Sequence, residues 1–352
     1  MADSPQPTLF PLAWHPTTRQ IAERVKAGGV AALTEAERRA DEARYQEVTC
    51  RSALNRVEGM PFRWTLNPYR GCTHGCHYCF ARRYHTQFEL GAGDEFASVI
   101  LVKSNLVAVL RRELDRRSWQ RELVAVGTAT DPYQPIEGRY RLTRGALGAL
   151  AAARTPVGLV TKGPMVVRDI DVLQELARRA SVTVYVSVPS VDEDAWRRLE
   201  PGTAHPLQRL RAVRTLVDAG IRAGVLMAPI VPGITSDRAR LAETVEAIAD
   251  HGARFVGANL LYLKGGTRTH FLEFLAREYP GLSGTYAELF AEGAAYVPDG
   301  LRQQVRATVD DLRRRAGLST RDGDHDANED RGAGPIETEA AARQPAFRWR
   351  EE

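Results

Sequence analysis

From Phe62 onward the chain repeats one rhythm, a short β-branched or apolar run followed by a helical pattern, and it does so six times. The runs are Phe62–Leu66, Leu123–Thr128, Val157–Thr161, Val182–Val188, Arg222–Met227 and Phe255–Leu261. The helical patterns are Lys103–Arg116, Thr143–Ala153, Arg168–Arg179, the pair Asp192–Leu199 and His205–Ala219, then Ser236–His251 and Thr269–Tyr279. Strands that alternate with helices specify right-handed β-α-β units and a parallel sheet. Six units fall short of the eight that close a barrel. The expected fold is therefore α/β, a partial (βα)6 barrel whose cleft lies at the C-terminal ends of its strands, where parallel α/β architectures bind ligands.

At 352 residues the chain is within reach of a single barrel core with extensions. Residues 1–61 form the N-terminal extension: Met1 to Pro16 is Pro-rich and expected to be disordered, and Thr17–Lys26 and Thr34–Glu47 look like short polar helices. Thr34 with Glu37 has the form of a capping box. The barrel occupies 62–280, two further helices (Thr285–Glu292 and Gly300–Ala316) occupy 281–316, and 317–352 has little to bury and is expected to be a disordered tail.

Within this frame one motif carries chemistry. Cys72-Thr73-His74-Gly75-Cys76-His77-Tyr78-Cys79 follows the first strand, so its C-x3-C-x2-C spacing falls on the loop at the strands' C-terminal lip. Three thiolates can ligate three irons of a [4Fe-4S] cubane and leave the fourth iron open, whereas a closed electron-transfer cluster takes four. Cys76 and Cys79 alone would read as a dithiol, but such a pair has no use for Cys72. His74 and His77 could join the thiols around zinc, although structural zinc ordinarily takes paired ligands separated by a longer loop. Cys50, the fourth cysteine, reads as a packing residue.

The motif and its place after strand one resemble the radical S-adenosylmethionine (radical SAM) superfamily, over roughly Phe62 to Leu263. The resemblance implies that Cys72, Cys76 and Cys79 each bind one iron of a [4Fe-4S] cluster while S-adenosylmethionine (SAM) chelates the fourth. One electron then cleaves SAM into methionine and a 5′-deoxyadenosyl radical that abstracts hydrogen from substrate. Tyr78 occupies the family's aromatic position near adenine. Lys162, a rare lysine between Thr161 and Gly163, would reach the SAM carboxylate or ribose; its plain alternative is a surface lysine at a turn. Thr130 and Asp131 fall where the family engages the SAM amino group, but Asp131-Pro132 is equally a turn dipeptide. Ser187 falls where the family contacts the ribose, or is a strand-end serine facing solvent.

Further segments resemble the branch that contains spore photoproduct lyase and its uncharacterised relatives. They are Asn67-Pro68-Tyr69-Arg70-Gly71, Gly127 through Glu137, Thr161-Lys162-Gly163-Pro164 with Arg168-Asp169, Leu199-Glu200-Pro201-Gly202, and Ala228 through Gly233. Each is expected at a strand lip, facing the cleft. Two positions depart from that enzyme. Its hydrogen-donating cysteine corresponds to Thr128, whose O–H bond is too strong for the role, and the tyrosine after its third cysteine is Phe80 here. Photoproduct repair by the same relay is not expected. Sulfur insertion and the two-cysteine methyl-transfer route need cysteines that this chain lacks.

The net charge of +4 divides unevenly, since residues 321–352 hold nine acidic and five basic residues, leaving +8 on residues 1–320. A basic body is compatible with a nucleic-acid partner, and a lyase-type reaction on a nucleic-acid component is the expected activity. A peptide or small-metabolite maturase, or a non-catalytic iron–sulfur or zinc scaffold, are the alternatives. Clustered thiols without a disulfide framework, no secretory signal and no apolar run long enough to span a bilayer point to the cytoplasm. The electron donor is expected to be a flavodoxin or ferredoxin.

Overall fold

A computed structural model describes residues 35–85 and 91–320. Six parallel strands form its centre: β3 (Trp64–Leu66), β6 (Val124–Val126), β7 (Val157–Thr161), β8 (Val182–Ser187), β9 (Arg222–Ile230) and β10 (Phe255–Leu260). They neighbour one another in chain order, each separated from the next by helix, and so make the expected partial (βα)6 barrel. Val, Ile and Leu dominate the runs because helices cover the outer face of the sheet and side chains fill the inner one. Val124, Val126, Leu159, Val184 and Val225 are almost fully buried. Aligned pairs Leu66 with Val126, Val126 with Leu159, and Ser187 with Leu226 bring the strand ends to one lip.

Local signals set the helix boundaries. Helix Glu193–Leu199 starts where Asp192 accepts the Ala195 N–H, and Arg238–Asp250 starts where Asp237 accepts that of Arg240. Helix Pro206–Asp218 follows the His205 cap and opens on proline, whose missing N–H costs nothing at that position.

Four parts of the sequence reading are corrected. Helix Glu35–Glu42 ends well before Glu47, and Arg44–Val48 is a strand, β1. It pairs in parallel with β5 (Val99–Lys103), which pairs antiparallel with β4 (Tyr69–Arg70), giving a second small sheet. Lys103 therefore ends a strand, and the helix expected to begin there covers Leu106–Leu114. The burial of all five β5 residues outweighs the helical pattern that follows. Strand β2 (Leu54–Arg56) extends the barrel sheet antiparallel to β3. At the other edge β11 (Ser319–Thr320) runs parallel to β10, with Leu318 buried, so residues 318–320 pack on the barrel rather than forming part of a tail.

Helices Ser283–Leu289 and Asp299–Arg315 follow the barrel, and the second packs on Arg238–Asp250. The expectations for Met1 to Pro16, Thr17–Lys26, the Thr34 cap and residues 321–352 lie outside the described residues. Among the described residues no helix is long and apolar enough to cross a membrane.

Because Leu318 is 7% exposed, a chain ending at Ala316 is expected to be about 2 kcal/mol less stable than one ending at Thr320, the magnitude of burying one leucine. Urea unfolding of the two truncations measures it.

Candidate active site

The loop from Gly71 to Cys79 has no regular structure, and neighbouring elements hold it by its main chain. Gly71 has φ of +76°, and a Cβ there would come within 2.5 Å of the Val99 carbonyl. The Thr130 hydroxyl and Gln134 Nε2 donate to Gly71 O at 2.6 and 3.2 Å, while Gln134 Oε1 accepts the Thr73 N–H at 3.1 Å. Beyond β8, Gly202 N–H donates to His74 O and Leu199 O accepts the His77 N–H, both at 3.0 Å. A Cβ on Gly202 would lie 2.3 Å from Thr73 O and 2.9 Å from His74 Cα. That close approach requires glycine.

The three thiols are free, with Cys72 and Cys76 buried and Cys79 half-buried. Burial, then Asp131 and the neighbouring thiols, pushes the Cys72 thiol well above its ordinary value. Burial pushes Cys76 up to about 12, with Lys162 pulling down and Glu200 pushing up. Thiols held this high ionise only against a strong positive charge, and ligation to iron supplies one. Thr73 Oγ1 is buried without a hydrogen-bond partner in the loop that would wrap the cluster. Among the described residues no three His, Cys, Asp or Glu side chains converge as the ligands of a single ion must. A cubane takes one cysteine per iron and needs no such convergence, so the donor set fits it. His77 turns away, stacked on Phe274 at 4.1 Å with Nδ1 3.0 Å from His270 Nε2. Burial, with Arg82 and His270 adding to it, pulls its pKa to about 3 and keeps it neutral.

Asp131 ties three elements together. It accepts from the Thr161 hydroxyl and Lys162 N–H at 2.6 Å each and from Tyr133 N–H at 2.9 Å, with His74 Nδ1 at 3.4 Å. Burial alone would raise its pKa, yet His74, the Thr161 hydroxyl and the Lys162 amide bring it down to about 2.

Lys162 Nζ lies 3.8 Å from Glu200 Oε1 and 5.6 Å from the centre of the Tyr78 ring. Glu200 also accepts from the Tyr78 hydroxyl and from Arg209 Nη2, the latter at 2.5 Å. Arg209 is itself fully buried and donates to Ser187 O at 2.8 Å, and the Ser187 hydroxyl donates to Ala228 O at 3.2 Å. The structure thus brings Tyr78, Lys162, Glu200 and Arg209 together beside Cys76. It gives the Thr130, Asp131 and Ser187 side chains protein partners, so each positions the lip.

The motif that runs from Gly127 to Glu137 divides. Glu137 and Asp169, expected to face the cleft, are fully buried. Glu137 accepts from the Tyr69 hydroxyl at 2.5 Å and from Arg168 Nη2 at 3.0 Å; Asp169 accepts from the Tyr133 hydroxyl at 3.1 Å and from Arg168 Nε at 2.8 Å. This pair is scaffold: buried carboxylates persist only when saturated in this way.

Two site residues carried no assignment from sequence. Arg209 shares the buried stripe of its helix with Pro206, Val213 and Leu216, so a charge in an apolar stripe was its signal. Arg82, 2% exposed and bonded to the loop carbonyls of Gly75 and Cys76, had none in a chain so rich in arginine.

An open parallel barrel that presents three free thiols on the loop after its first strand defines a protein built to hold an iron–sulfur cluster with a free coordination position. Residues 66–245 match the model of the Radical SAM superfamily, and the chain belongs to that superfamily. The family uses a [4Fe-4S] cluster and SAM. The uncharacterized protein Rv2578c of Mycobacterium tuberculosis (strain ATCC 25618 / H37Rv) is 42% identical over 84% of this chain and 85% of its own. The "Radical SAM Nalpha-GlyT isomerase" of Pseudomonas phage M6 is 24% identical over 70% of this chain and 50% of its own. Among solved structures, a spore photoproduct lyase double mutant with bound AdoMet and dinucleoside spore photoproduct superposes with a TM-score of 0.61 at 16% identity, covering 80% of this chain and 83% of the other. That likeness is one of fold.

The depressed pKa of Asp131 adds stability that is complete above the ordinary carboxylate range and is lost as pH falls through about 2. In iron-free protein Asp131→Asn is expected to cost about 2 kcal/mol at pH 7, with the difference from wild type shrinking as pH drops from 4 toward 2. Urea unfolding across that range checks both magnitude and direction.

Proposed function

We propose that this chain is a cytoplasmic radical SAM enzyme that abstracts hydrogen from a nucleic-acid component in a lyase-type reaction. The observation that carries the enzyme reading is the set of three free thiols, two buried and one half-buried, on the loop after β3 at the lip of the barrel. When bound there, the cluster and SAM supply reductive cleavage of SAM and a 5′-deoxyadenosyl radical.

The chain's own residues then have distinct tasks. Cys72, Cys76 and Cys79 hold the cluster. Lys162, its ammonium beside the Tyr78 ring and the Glu200 carboxylate, would contact SAM. The Tyr78 main chain would flank the adenine, with its ring fixed by Glu200. Thr130, Asp131 and Ser187 shape the SAM site by holding the lip.

Support for a nucleic-acid component comes from the rim. Phe80, next to Cys79, is 43% exposed and meets Tyr84 edge-on at 6.3 Å. Arg83 lies 4.8 Å from the Tyr84 ring and 5.7 Å from that of Tyr262, which meets Tyr296 at 4.8 Å. An exposed ring in a frame of aromatics and one guanidinium group suits an unstacked base. Thr128 and Phe80 lack the hydrogen donors of the photoproduct relay, so the substrate radical is quenched differently here. A rearrangement is the second reading, favoured by the relative named as an isomerase. A flavodoxin or ferredoxin supplies the electron.

Anaerobic reconstitution followed by reduction is expected to give a cubane signal and, with SAM, 5′-deoxyadenosine. Cys72→Ala, Cys76→Ala or Cys79→Ala should each abolish that product, and Lys162→Ala should weaken SAM binding about tenfold or more with iron retained. A reduced wild-type protein that forms no 5′-deoxyadenosine sinks the enzyme reading.

Phe80→Ala is expected to weaken binding of a short single-stranded oligonucleotide by about 1–3 kcal/mol, the range for a base on an aromatic platform. Fluorescence anisotropy at low salt measures it. Absence of binding by wild type would move the substrate to a peptide or small metabolite.

A further inference from the structure

Arg82 lies three residues past Cys79 and is 2% exposed. Its guanidinium spends its hydrogen bonds on main-chain carbonyls. Nε donates to Cys76 O at 3.0 Å and Nη2 to Gly75 O at 2.7 Å, while Nη1 donates to Ala92 O and Gly93 O at 2.9 and 2.7 Å. The Phe96 ring lies 4.9 Å away. Among the described residues no carboxylate lies within salt-bridge distance of it. Arginine does not escape such a site by losing its proton, because its charge is effectively permanent.

A buried cation satisfied only by carbonyls carries a desolvation cost of several kcal/mol unless opposite charge lies close by. Burial works against the charge here, and the groups that favour it are, in order, Cys79, Cys76, Asp94 and Cys72. Three of those four are the cluster ligands. With three thiolates an oxidised [4Fe-4S]2+ core has a net charge of −1, and one-electron reduction takes it to −2. A fixed positive charge favours the more negative state, and net charge is one of the quantities that set a cluster's potential.

We propose that Arg82 is the fixed counter-cation of the iron–sulfur cluster: it braces the loop at Gly75 and Cys76 and raises the cluster's reduction potential, so that a cytoplasmic one-electron donor can reduce it. This rests on the cluster assigned above. Arg82 acts through the ligand loop and is a positioning residue; its electrostatic part is separable from bracing, because lysine keeps the charge and loses most of the carbonyl bonds.

The experiment uses the full chain, reconstituted anaerobically, as wild type, Arg82→Lys and Arg82→Gln. Each is titrated with dithionite through redox mediators, following the reduced cluster by electron paramagnetic resonance, with iron content measured alongside. Arg82→Gln is expected to bind the electron about tenfold more weakly, a midpoint more negative by about 59 mV for a one-electron couple. Arg82→Lys is expected to load less iron yet keep the wild-type midpoint. If the glutamine variant holds no iron while the lysine variant holds it at the wild-type midpoint, the charge requirement stands. The proposal is overturned by a loaded Arg82→Gln cluster at the wild-type midpoint, by a shifted Arg82→Lys midpoint, or by loss of iron from both variants, which would leave only a brace. A wild-type chain without a cubane signal would instead remove the cluster reading itself.

Discussion

Three thiols, two of them buried, must sit on a stretch of chain with no ladder of its own, and everything around the lip answers to that constraint. Backbone groups buried without partners are costly, so each turn of the loop from Gly71 to Cys79 takes a partner from a different element. Thr130 and Gln134 after β6 hold Gly71 and Thr73, the segment after β8 holds His74 and His77, and the Thr267 hydroxyl reaches Cys79 O at 3.2 Å. The short helix Glu95–Ser98, which leads into β5, also holds the loop's start, with Cys72 N–H donating to Phe96 O at 2.9 Å. The barrel supplies these anchors because parallel strands in register deliver their ends to one lip.

Charge follows the same logic. Lys162, Glu200 and Arg209 form a buried chain of alternating sign in which Glu200 is contacted from both sides. Glu200 keeps a pKa below its ordinary value although burial opposes it, because Arg209 and Lys162 outweigh the desolvation. Breaking one member would strand the others in low dielectric, which is why such groups come as complete sets. The set leaves Lys162 as the member with some exposure, 17% of its side chain. An ammonium paired only at 3.8 Å can take a second anionic partner that arrives from the cleft.

The fold was legible where burial on both faces of the sheet enforces apolar runs, and all six barrel strands lie within the runs read from sequence or, for β9, extend three residues past one. Strands β1, β4 and β11 were not legible because their residues form no apolar run and they gain their stability from a partner distant in sequence, as Tyr69 does from Val102 and Ser319 from Phe255. The C-x3-C-x2-C loop was legible because thiols at that spacing have few other uses. Asp131 and Lys162 lie at the lip, where their position after strands put them, but Glu137 and Asp169 were assigned to the cleft although they stabilise its wall. A lip motif does not say which of its residues turn inward; that depends on partners such as Arg168, which reaches both carboxylates.

The division between generic and particular chemistry has the same physical origin. Radical generation needs a cluster, a chelated cofactor and a dry enclosure, and these are met by buried groups whose partners can be enumerated. Substrate choice is made by side chains that keep a free face, and exposure removes the constraints that make residues readable. Phe80 illustrates this: its ring edge is fixed by Tyr84 while the remainder stays accessible beside a cluster ligand. A large apolar ring kept exposed next to a buried site gains nothing for stability. A single exposed ring is ordinary on any surface; its place beside Cys79 is what makes Phe80 the proposed contact for substrate.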